Sequence, residues 1–503
     1  MRRQFSLAVA AVFLSNTRFA WAAPLDTTTV QARQSTIYVP FYDATANKHT
    51  SPARGWNSFG LQANKALYGP AGFDFNDYHF AQQCDNMVVQ DGYDYICSID
   101  SGWSKNGGDK YARIEPDESI FSWFGFKGLA DHLHNNKMKL GVYLLPGAFE
   151  SDKDTIIEGT NITLGSVLDM DQPWFSLRRS FKWEMDGVQQ WHDSVVKYLA
   201  SLGVDMIKLD YLTPGSPDAG QDLPTDTSPS ATKFHNAILN YGNGMRLDLS
   251  WKLSRDAPYW SVWQNSADSL RLDQDINNGG QQTFTSWSTV QRAIENYRIF
   301  INQQALDSSR QGQGIHIRPD MDNTYYANPE SMSGLTDVQR YTMAIHWIGA
   351  GANLITGGDL THMDDLGKML MYDDEVISVA DFTSQWPMRP LNPDNTPNPG
   401  GSNASQTQAW ISGPNGNGTA VVVLANYGPD EGQAGFGNGD KDNKLVTVSL
   451  NTLGIGESQW FVRRVLGGGG SGGGDHDDIG VATEKIESWL GPNESVMYKL
   501  EKQ

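Results

Sequence analysis

The chain has 503 residues, a formal net charge of −20 and a hydrophobic fraction of 39%, which is enough to form a sizeable core. This length suits two domains, or a large barrel with an accessory domain, better than one small core. The acidic charge excludes nucleic acid and anionic membranes as expected partners, because it repels phosphate. Two cysteines exclude a disulfide-rich scaffold and a cysteine-rich zinc module.

Residues 1–22 have the pattern of a secretory signal peptide. Arg2 and Arg3 precede a short apolar run, and Ala20-Trp21-Ala22 forms a small-x-small cleavage site. The apolar run is too short to span a bilayer, and no later run reaches 18 apolar residues. The sequence therefore predicts a secreted, extracellular protein with no membrane segment.

Export has two consequences for covalent modification. It permits a disulfide between Cys84 and Cys97, although two free buried thiols fit the sequence nearly as well. It also makes four N-x-S/T sequons candidates for glycosylation. These are Asn161, Asn403, Asn417 and Asn493.

After a polar lead-in over residues 23–53, residues 54–390 alternate short β-type runs with helical patterns. Strands are predicted to begin at Arg54, Tyr93, Lys139, Val204, Arg246, Ser269, His316 and Asn353. Helical patterns cover Phe80–Gln90, Gly128–Asn136, Val188–Leu202 and Asp337–Gly349. Eight strands, each followed by a helix, predict an α/β fold, the (β/α)8 TIM barrel. The long stretch between the third and fourth strands predicts an excursion over the barrel mouth.

The composition changes at Leu391, where a segment rich in Pro, Asn, Gly and Ser begins. Residues 391–503 then contain alternating, β-branched runs that predict an antiparallel β-sandwich domain. The runs are Gln408–Ile411, Thr419–Ala425, Leu445–Leu450, Gln459–Val465 and Ser495–Leu500. The glycine-rich stretch at 467–474 is predicted to be a surface loop.

Charged residues at spacing two mark the ends of two predicted strands. Lys208 and Asp210 share one face of the fourth strand, and Arg271, Asp273 and Asp275 follow the sixth. Burying such groups without a partner is costly, so a functional site explains them better than a salt bridge that seals the barrel. Two carboxyl groups facing each other across a barrel mouth are the equipment of a glycosidase.

Competing chemistries lack their motifs. The ten histidines form no metal-binding pattern, and no dinucleotide loop, Walker loop or GxSxG elbow occurs in the required context. We therefore predict no metal and no organic cofactor.

An ordered set of motifs resembles glycoside hydrolase family 27, the family of α-galactosidases (melibiases) and α-N-acetylgalactosaminidases. The set spans residues 54–365. It comprises Gly55-Trp56-Asn57-Ser58, Tyr95 with Ile99-Asp100 and Trp103, Lys208-x-Asp210, Arg271-x-x-x-Asp275, Pro319-Asp320-Met321, Gly334-Leu335-Thr336 and Gly358-Asp359-Leu360. The resemblance implies a barrel followed by a C-terminal antiparallel β domain, in agreement with the strand pattern.

The resemblance also implies roles for individual residues. Asp210 is similar to the family nucleophile and Asp275 to the acid/base of a retaining double displacement. The remaining matched positions are expected to bind the sugar. They are Trp56, Asp100, Trp103, Tyr143, Lys208, Ser250, Arg271 and Asp320.

Three positions depart from the α-galactosidase pattern. Ser101 replaces the second of two consecutive aspartates, and Ser250 replaces the glutamate that contacts the 2-hydroxyl. Ser250 is similar to the α-N-acetylgalactosaminidase version, but Leu253 is bulkier than the residue those enzymes use there. A site built to bind one hydroxyl rejects sugars that lack it, so these changes can alter the specificity.

Three hypotheses follow. The first is a secreted retaining glycosidase that releases terminal α-linked galactose from an oligo- or polysaccharide. The second is a family member with another glycone, of the isomaltodextranase, β-L-arabinopyranosidase or α-N-acetylgalactosaminidase type. The third is a non-catalytic carbohydrate-binding barrel, which loss of either aspartate would favour. Both aspartates are present.

Overall fold

The structure is a computed structural model that describes residues 39–69, 72–216, 220–305, 312–391, 405–431, 439–468 and 475–503. Its first part contains eight parallel strands in chain order. They are β1 (Arg54–Asn57), β2 (Tyr95–Ile99), β3 (Met138–Leu144), β4 (Val204–Leu209), β5 (Arg246–Leu249), β6 (Ser269–Arg271), β7 (Arg318–Asp320) and β8 (Leu354–Thr356). The predicted signal peptide, most of the lead-in and Asn403 lie outside the described residues.

The eight strands follow one another around the sheet in chain order. Every neighbouring pair from β1 to β7 is parallel, and β8 pairs with β1. Between β7 and β8, the Thr324 amide donates to the Ile355 carbonyl at 2.8 Å, and the Thr324 carbonyl accepts from the Gly357 amide at 3.0 Å. The sheet therefore curls round on itself, as in a (β/α)8 barrel.

Helices connect the successive strands, and two more helices follow β8. They are α1 (Asp77–Asp85), α2 (Phe126–Asn135), α3 (Val188–Ser201), α4 (Ser228–Tyr241), α5 (Tyr259–Gln264), α6 (Trp287–Ala305), α7 (Asp337–Gly349), α8 (Asp365–Tyr372) and α9 (Asp374–Thr383). Short helical turns occur at Phe59–Ala63, Lys65–Tyr68, Glu150–Asp152, Leu164–Val167, Glu330–Ser333 and Leu360–His362.

All eight predicted barrel strands and the four predicted helices are present, with ends that differ by a few residues. The largest difference is at α1, which begins at Asp77 because Asn76 caps it, and which ends at Asp85 rather than near residue 90. The predicted excursion leaves the barrel after β3. Within it, strand Arg178–Phe181 pairs with the short strands Ala148–Phe149 and Leu168–Asp169. A second hairpin, Ser104–Gly108 with Ile114–Pro116, follows β2.

The described part of the lead-in packs against the barrel before residue 54. Thr45 and Asn47 both donate hydrogen bonds to the carboxylate of Asp268, which directly precedes β6. The Tyr42 hydroxyl donates to the Ala350 carbonyl at 2.9 Å. The buried Asp268 carboxylate thus fixes the lead-in to the amino-terminal end of the barrel.

Cys84 and Cys97 form a disulfide, the alternative that the sequence left open. It joins the last turn of α1 to the middle of β2, two elements adjacent in the fold, and the described residues contain no free cysteine.

The C-terminal part contains two antiparallel sheets. Their strands are β9 (Arg389–Leu391), β10 (Thr407–Ser412), β11 (Thr419–Asn426), β12 (Lys444–Ser449), β13 (Trp460–Gly467), β14 (Asp478–Ala482), β15 (Lys485–Leu490) and β16 (Glu494–Lys502). A short helix, Leu450–Leu453, follows β12. The larger sheet has the order β9-β10-β11-β16-β13-β14, and β12 pairs with β15. The five predicted strands are present, whereas β9, β14 and β15 were not predicted, and β9 starts before the predicted boundary at 391. Most of the glycine-rich stretch at 467–474 lies outside the described residues.

The larger sheet is buried on both faces, which explains the continuous apolar run in β11. Val421 and Val423 belong to the core shared with the barrel helices, while Val422 and Leu424 pack with residues of β12 and β15. The junction with the barrel also contains buried polar groups. Tyr427 accepts a hydrogen bond from the Trp410 indole at 2.8 Å, and its hydroxyl lies 2.7 Å from Nε2 of His346 on α7.

Two further hydrogen bonds connect α6 with the C-terminal part. The Gln291 side-chain amide donates to the carbonyls of Tyr427 and Pro429 at 3.1 and 3.0 Å. Gln291 is fully buried, so these bonds are formed away from water. Within the described ranges, no helix has the length and apolar character needed to cross a membrane.

We predict that Tyr427→Phe destabilises the protein without changing the active site. The change removes the acceptor of the Trp410 indole and the partner of His346, and an unsatisfied buried polar group costs about 1–3 kcal/mol. The melting temperature should fall by about 1–3 °C for a chain of this size, measured by differential scanning calorimetry. Tyr241→Phe, on the exposed face of α4, is the control. Equal melting temperatures for the two variants would contradict this account.

Candidate active site

The candidate catalytic residues lie at the carboxyl ends of the barrel strands. Asp210 directly follows β4, Asp275 lies four residues after β6, and Asp100 directly follows β2. Asp320 is the last residue of β7. Because parallel strands end at the same edge of a barrel, the fold brings these four carboxylates to one mouth.

Lys208 is held in place by Asp100. Its Nζ atom lies 2.8 Å from Asp100 Oδ2, and the two side chains are 11% and 2% exposed. Asn57 also donates to Asp100, at 3.3 Å. Burial lowers the pKa of Lys208, but the charges of Asp100 and Asp210 outweigh it and raise the pKa above its usual value. Lys208 therefore stays charged beside the candidate nucleophile.

Arg271 gathers three carboxylates. Its Nη2 atom lies 2.7 Å from Asp275 Oδ1 and 3.1 Å from Asp322 Oδ1, and its Nε atom lies 3.8 Å from Asp320 Oδ2. The guanidinium side chain is only 3% exposed, whereas that of Asp275 is 38% exposed. The contact with buried Arg271 orients the Asp275 carboxyl group and leaves part of it accessible to a ligand.

Both candidate catalytic carboxyl groups hold their protons more tightly than an exposed aspartate does. Burial raises the pKa of Asp210, and Asp275 and Asp100 add to the rise, while Lys208 opposes it. Burial also raises the pKa of Asp275, against the opposing charge of Arg271. A raised pKa suits a general acid. A low pKa would suit a nucleophile, but for Asp210 the effect of burial outweighs that of the nearby cations Lys208 and Arg271.

The loop that carries Asp275 is held by Arg292 on α6. Arg292 Nε forms an ion pair with Asp273, and its Nη2 donates to the carbonyls of Gln274 and Asp275 at 3.2 and 2.7 Å. Asp273 is 3% exposed and faces this structural ion pair. Asp273 therefore supports the loop that carries Asp275.

The aromatic residues of the predicted sugar site differ in accessibility. Trp56 and Trp103 are 0% and 1% exposed, and their indole nitrogens donate to the carbonyls of Gly358 and Tyr143. Neither offers a free face in this structure, and Trp103 acts on the site by fixing the backbone of Tyr143. Tyr143 is half-buried beside Lys208, and burial together with the charge of Asp210 raises the pKa of its hydroxyl.

The three departures from the α-galactosidase pattern occupy different environments. Ser101 is exposed, and its carbonyl accepts from Gln62 at 2.8 Å. Ser250 is 1% exposed and its amide donates to the Leu209 carbonyl at 2.8 Å, so it lies close to the nucleophile strand. Leu253 is 3% exposed.

Two buried aspartates were missed in the sequence. Asp322 binds Arg271 and accepts from the Ile276 and Asn323 amides at 2.7 Å each. Asp248 points into the barrel from β5, where burial and the charge of Asp320 raise its pKa well above the usual range. Asp248 lies two residues before Ser250 in the extended strand β5, and that spacing was the available signal. Asp322 follows β7 in a left-handed backbone conformation, so strand spacing gives no such signal there. In the described part of the chain, no group of three or more His, Cys, Asp or Glu could hold a metal ion.

Comparisons with known proteins agree with this geometry. No model of a known protein family matches the chain. α-Galactosidase 3 of Hypocrea jecorina is 40% identical over 471 residues, which cover 91% of this chain and 72% of that protein. Putative α-galactosidase 8 of Emericella nidulans is 35% identical over 411 residues, covering 80% and 79%.

Solved structures share the fold. The family 27 β-L-arabinopyranosidase of Geobacillus stearothermophilus has a TM-score of 0.68 at 20% identity and covers 90% of this chain and 96% of its own. α-Galactosidase I of Mortierella vinacea has a TM-score of 0.56 at 18% identity, with coverages of 90% and 97%. The chain is an α-galactosidase-like member of glycoside hydrolase family 27. The family 27 resemblance seen in the sequence is thus confirmed, and the protein is a glycosidase.

We predict that Lys208→Gln shifts the acid limb of the kcat/KM profile of this family 27 enzyme to higher pH. That limb reports the ionisation of the nucleophile in the free enzyme. Lys208 lowers the pKa of Asp210, so removing its charge raises that pKa further. Lys197→Gln, an exposed change on α3, should leave the limb in place. An unshifted limb in the Lys208 variant would contradict the assigned electrostatics.

A second prediction concerns Arg292. Arg292→Gln removes the ion pair with Asp273 and loosens the loop of Asp275, so we expect kcat to fall more than KM rises. Steady-state kinetics with an aryl glycoside of a good leaving group and one of a poor leaving group tests this. The loss should be larger for the poor leaving group, which needs the acid more. A uniform loss on both would indicate general destabilisation instead.

Proposed function

We propose that the enzyme releases terminal α-linked galactose by a retaining double displacement, with Asp210 as nucleophile and Asp275 as acid/base. The observation that carries the proposal is the placement of these two carboxyl groups after β4 and β6, where the charge of Lys208 acts on Asp210 and Arg271 Nη2 lies 2.7 Å from Asp275 Oδ1. The relatives of 40% and 35% identity named α-galactosidases support the choice of galactose.

The proposed reaction has two steps. Asp275 donates its proton to the glycosidic oxygen while Asp210 attacks the anomeric carbon, so the glycosidic bond breaks and a covalent glycosyl-enzyme forms. Asp275, now ionised, takes a proton from water, which attacks the same carbon and releases the sugar from Asp210. Burial raises the pKa of Asp275, which favours the protonated form that the first step needs.

The proposed sugar contacts follow from the charges at the mouth. Asp100 can accept hydrogen bonds from sugar hydroxyls while Lys208 donates to them, because their mutual ion pair leaves further lone pairs and protons available. Arg271 and Asp320 lie on the opposite side of the site, next to the acid. The expected substrate is an α-galactosyl oligo- or polysaccharide, and the reaction needs no cofactor.

One other glycone is favoured by a specific observation. Ser250 stands where α-galactosidases have a glutamate, which supports α-N-acetylgalactosaminide as the second candidate. Leu253 opposes it, because the resemblance implies a smaller residue at this position in enzymes that admit an acetamide, and Leu253 is bulkier and 3% exposed. The β-L-arabinopyranosidase and isomaltodextranase activities remain alternatives to be tested with the matching glycosides.

We also propose that the protein is exported as a glycoprotein. The signal-peptide pattern and the Cys84–Cys97 disulfide support export. Asn161 and Asn417 are exposed and are the favoured glycan sites. Asn493 is half-buried with its side-chain oxygen enclosed, which makes it the weakest of the described sequons.

For the C-terminal domain we propose a sandwich-like arrangement and a structural role. Its two sheets share one hydrophobic cluster, and the inner sheet packs on the barrel helices.

The deciding experiment is hydrolysis of an aryl α-D-galactopyranoside by the wild type and by Asp210→Asn, Asp275→Asn and the exposed control Asp131→Asn. We expect about 10³-fold loss or more in the first variant, and a loss that depends on the leaving group in the second. NMR of the first-formed product should show the α-anomer. A β-anomer would overturn retention. An inactive wild type would overturn the choice of galactose and favour one of the other glycones.

Asp210→Asn should also unfold at a higher temperature than the wild type near neutral pH. Because the folded-state pKa of Asp210 is raised, its ionisation destabilises the fold as pH rises from the unfolded-state value through the folded one. The difference should vanish at a pH low enough to protonate the carboxyl group in both states. A lower melting temperature for the variant at neutral pH would contradict the direction of the shift.

A further inference from the structure

Asp322 lies just after β7, beside the loop that carries the proposed acid/base Asp275. Its side chain is 6% exposed, it accepts a hydrogen bond from the Ile276 amide at 2.7 Å, and its Oδ1 atom lies 3.1 Å from Arg271 Nη2. Ile276 directly follows Asp275, and the same Nη2 atom of Arg271 lies 2.7 Å from Asp275 Oδ1. Asp322 therefore contacts both groups that orient the Asp275 carboxyl group, the following peptide and the guanidinium.

The peptide that follows Asp275 is held at both of its polar groups. The Ile276 amide donates to Asp322, and the Ile276 carbonyl accepts from the hydroxyl groups of Thr285 and Thr289 at 2.6 and 3.0 Å. The Ile276 side chain is fully buried. A rotation of this peptide would leave a buried amide without a partner, which is costly. The hydrogen bond to Asp322 therefore restricts the backbone from which the Asp275 side chain extends.

The backbone of Asp322 has a left-handed conformation with φ of 75°. This conformation is uncommon outside glycine, although aspartate tolerates it better than most residues, and it often marks functional sites. It is fixed on both sides, because the Asp322 amide donates to Asp320 Oδ1 and its carbonyl accepts from the Trp347 indole, each at 2.8 Å. As a result, the carboxyl groups of Asp320 and Asp322 both face Arg271.

The contacts of the Asp322 carboxyl group favour its ionised form. Two backbone amides, those of Ile276 and Asn323, donate to it at 2.7 Å each, and Arg271 adds a third donor group. A carboxylate accepts from all three, whereas a protonated carboxyl group would direct its own O–H towards a donor. Burial raises the pKa of Asp322, and the charge of Arg271 and the Ile276 amide act against that rise.

The charge of Asp322 bears directly on the protonation of Asp275. A carboxyl group 2.7 Å from a buried guanidinium is favoured in its ionised form, which cannot donate a proton. Burial raises the pKa of Asp275, the charge of Arg271 lowers it, and the charge of Asp322 raises it again. Asp322 thus offsets the effect of Arg271 on Asp275 while it shares the same guanidinium.

Other charged and titratable groups face these two carboxyl groups from neighbouring strands and loops. They remain in place when Asp322 alone is substituted, so a change in the titration of Asp275 can be assigned to Asp322. These groups are Lys208, Asp210, Tyr211, Arg271, Asp320 and Tyr325.

We propose that Asp322 is a positioning residue for the acid/base, which fixes the Asp275 loop through the Ile276 amide and shares Arg271 so that the guanidinium does not hold Asp275 in its ionised form. This inference rests on the proposed role of Asp275 as acid/base. It adds a residue that acts through Arg271 and Ile276 rather than by touching the substrate.

The first test compares the pH dependence of kcat/KM for the wild type and Asp322→Asn on an aryl α-D-galactopyranoside. Asparagine has nearly the same shape and can accept from the Ile276 amide, but it carries no charge. The basic limb of the profile reports the ionisation of the acid in the free enzyme. It should shift to lower pH, because the pKa of Asp275 loses a contribution that raises it. An unshifted basic limb would overturn the proposal.

Asp77→Asn is the matched control. Asp77 is 0% exposed and accepts from the amides of Trp123 and Phe124, so this substitution also removes a buried carboxylate that holds a loop. Its partners belong to the segment before α2 and not to the loop of Asp275. We expect a lower melting temperature and an unmoved basic limb. A shift equal to that of Asp322→Asn would indicate a general structural effect and overturn the assigned role.

A leaving-group comparison separates this inference from the proposed mechanism. Asp322→Asn should lose about tenfold more kcat/KM on a methoxyphenyl than on a dinitrophenyl α-D-galactopyranoside, because the poorer leaving group needs the acid more. A uniform loss in Asp322→Asn, beside a leaving-group-dependent loss in Asp275→Asn, would overturn only the role of Asp322. A uniform loss in Asp275→Asn would overturn the proposed acid and, with it, this inference.

A direct titration makes the test independent of the glycone. The γ-carboxyl carbons of aspartate are labelled with carbon-13, and the Asp275 signal is assigned by its absence in Asp275→Asn. Its titration midpoint, followed by NMR, should lie at lower pH in Asp322→Asn than in the wild type and Asp77→Asn. Equal midpoints in the wild type and Asp322→Asn would overturn the proposal even if α-galactoside hydrolysis is found.

Asp322→Gly is the second variant if Asp322→Asn folds poorly. Glycine adopts the positive φ of this position without strain, which offsets part of the lost contacts. It removes the charge and the acceptor of the Ile276 amide together. We therefore expect a basic limb shifted in the same direction and a larger fall in kcat than in Asp322→Asn. A basic limb at the wild-type position in Asp322→Gly would equally overturn the proposal.

Discussion

The pairing of buried cations with carboxylates at the barrel mouth is the constraint on which the rest of the site depends. An isolated charge at the depth of Lys208 or Arg271 would be prohibitively costly, so each must have a partner. Lys208 takes Asp100, from a different strand, and Arg271 takes Asp275 together with Asp322. These pairs fix the relative positions of β2, β4, β6 and the end of β7. The same electrostatic requirement therefore shapes the barrel mouth and places the reacting groups.

The polar groups of the site are of two kinds. Some are fully used in hydrogen bonds within the protein, and others remain accessible to a ligand. The indole N–H groups of Trp56 and Trp103 donate hydrogen bonds to backbone carbonyls, and neither ring face is exposed. Asp275 keeps more than a third of its side chain exposed while its other contacts orient it. A rigid surround with an accessible carboxyl group is what general acid catalysis requires, because the proton must reach the substrate without a rearrangement.

The barrel strands could be predicted because buried parallel strands have continuous apolar runs that end in polar residues, as in β4 with Asp210. The proposed catalytic pair, Asp210 and Asp275, was predicted from the same strand ends together with the family 27 resemblance. Asp322 could not be predicted in this way, because its position depends on a left-handed backbone conformation with φ of 75° just after β7. Strand β15 was missed because its exposed face mixes Lys485 and Glu487 with a tryptophan, and it is buried on one side only. Local sequence patterns thus identify helices and strands, whereas contacts between loops far apart in the sequence depend on the tertiary structure.

Neighbouring residues of α6 have different tasks. Gln291 holds the C-terminal domain through the Tyr427 and Pro429 carbonyls, and Arg292 holds the loop of the proposed acid. The C-terminal domain is therefore not a separable module, although it lies outside the barrel. A chimera that exchanged this domain for one from a distant relative would inherit a mismatch at α6 and transmit it to Asp275.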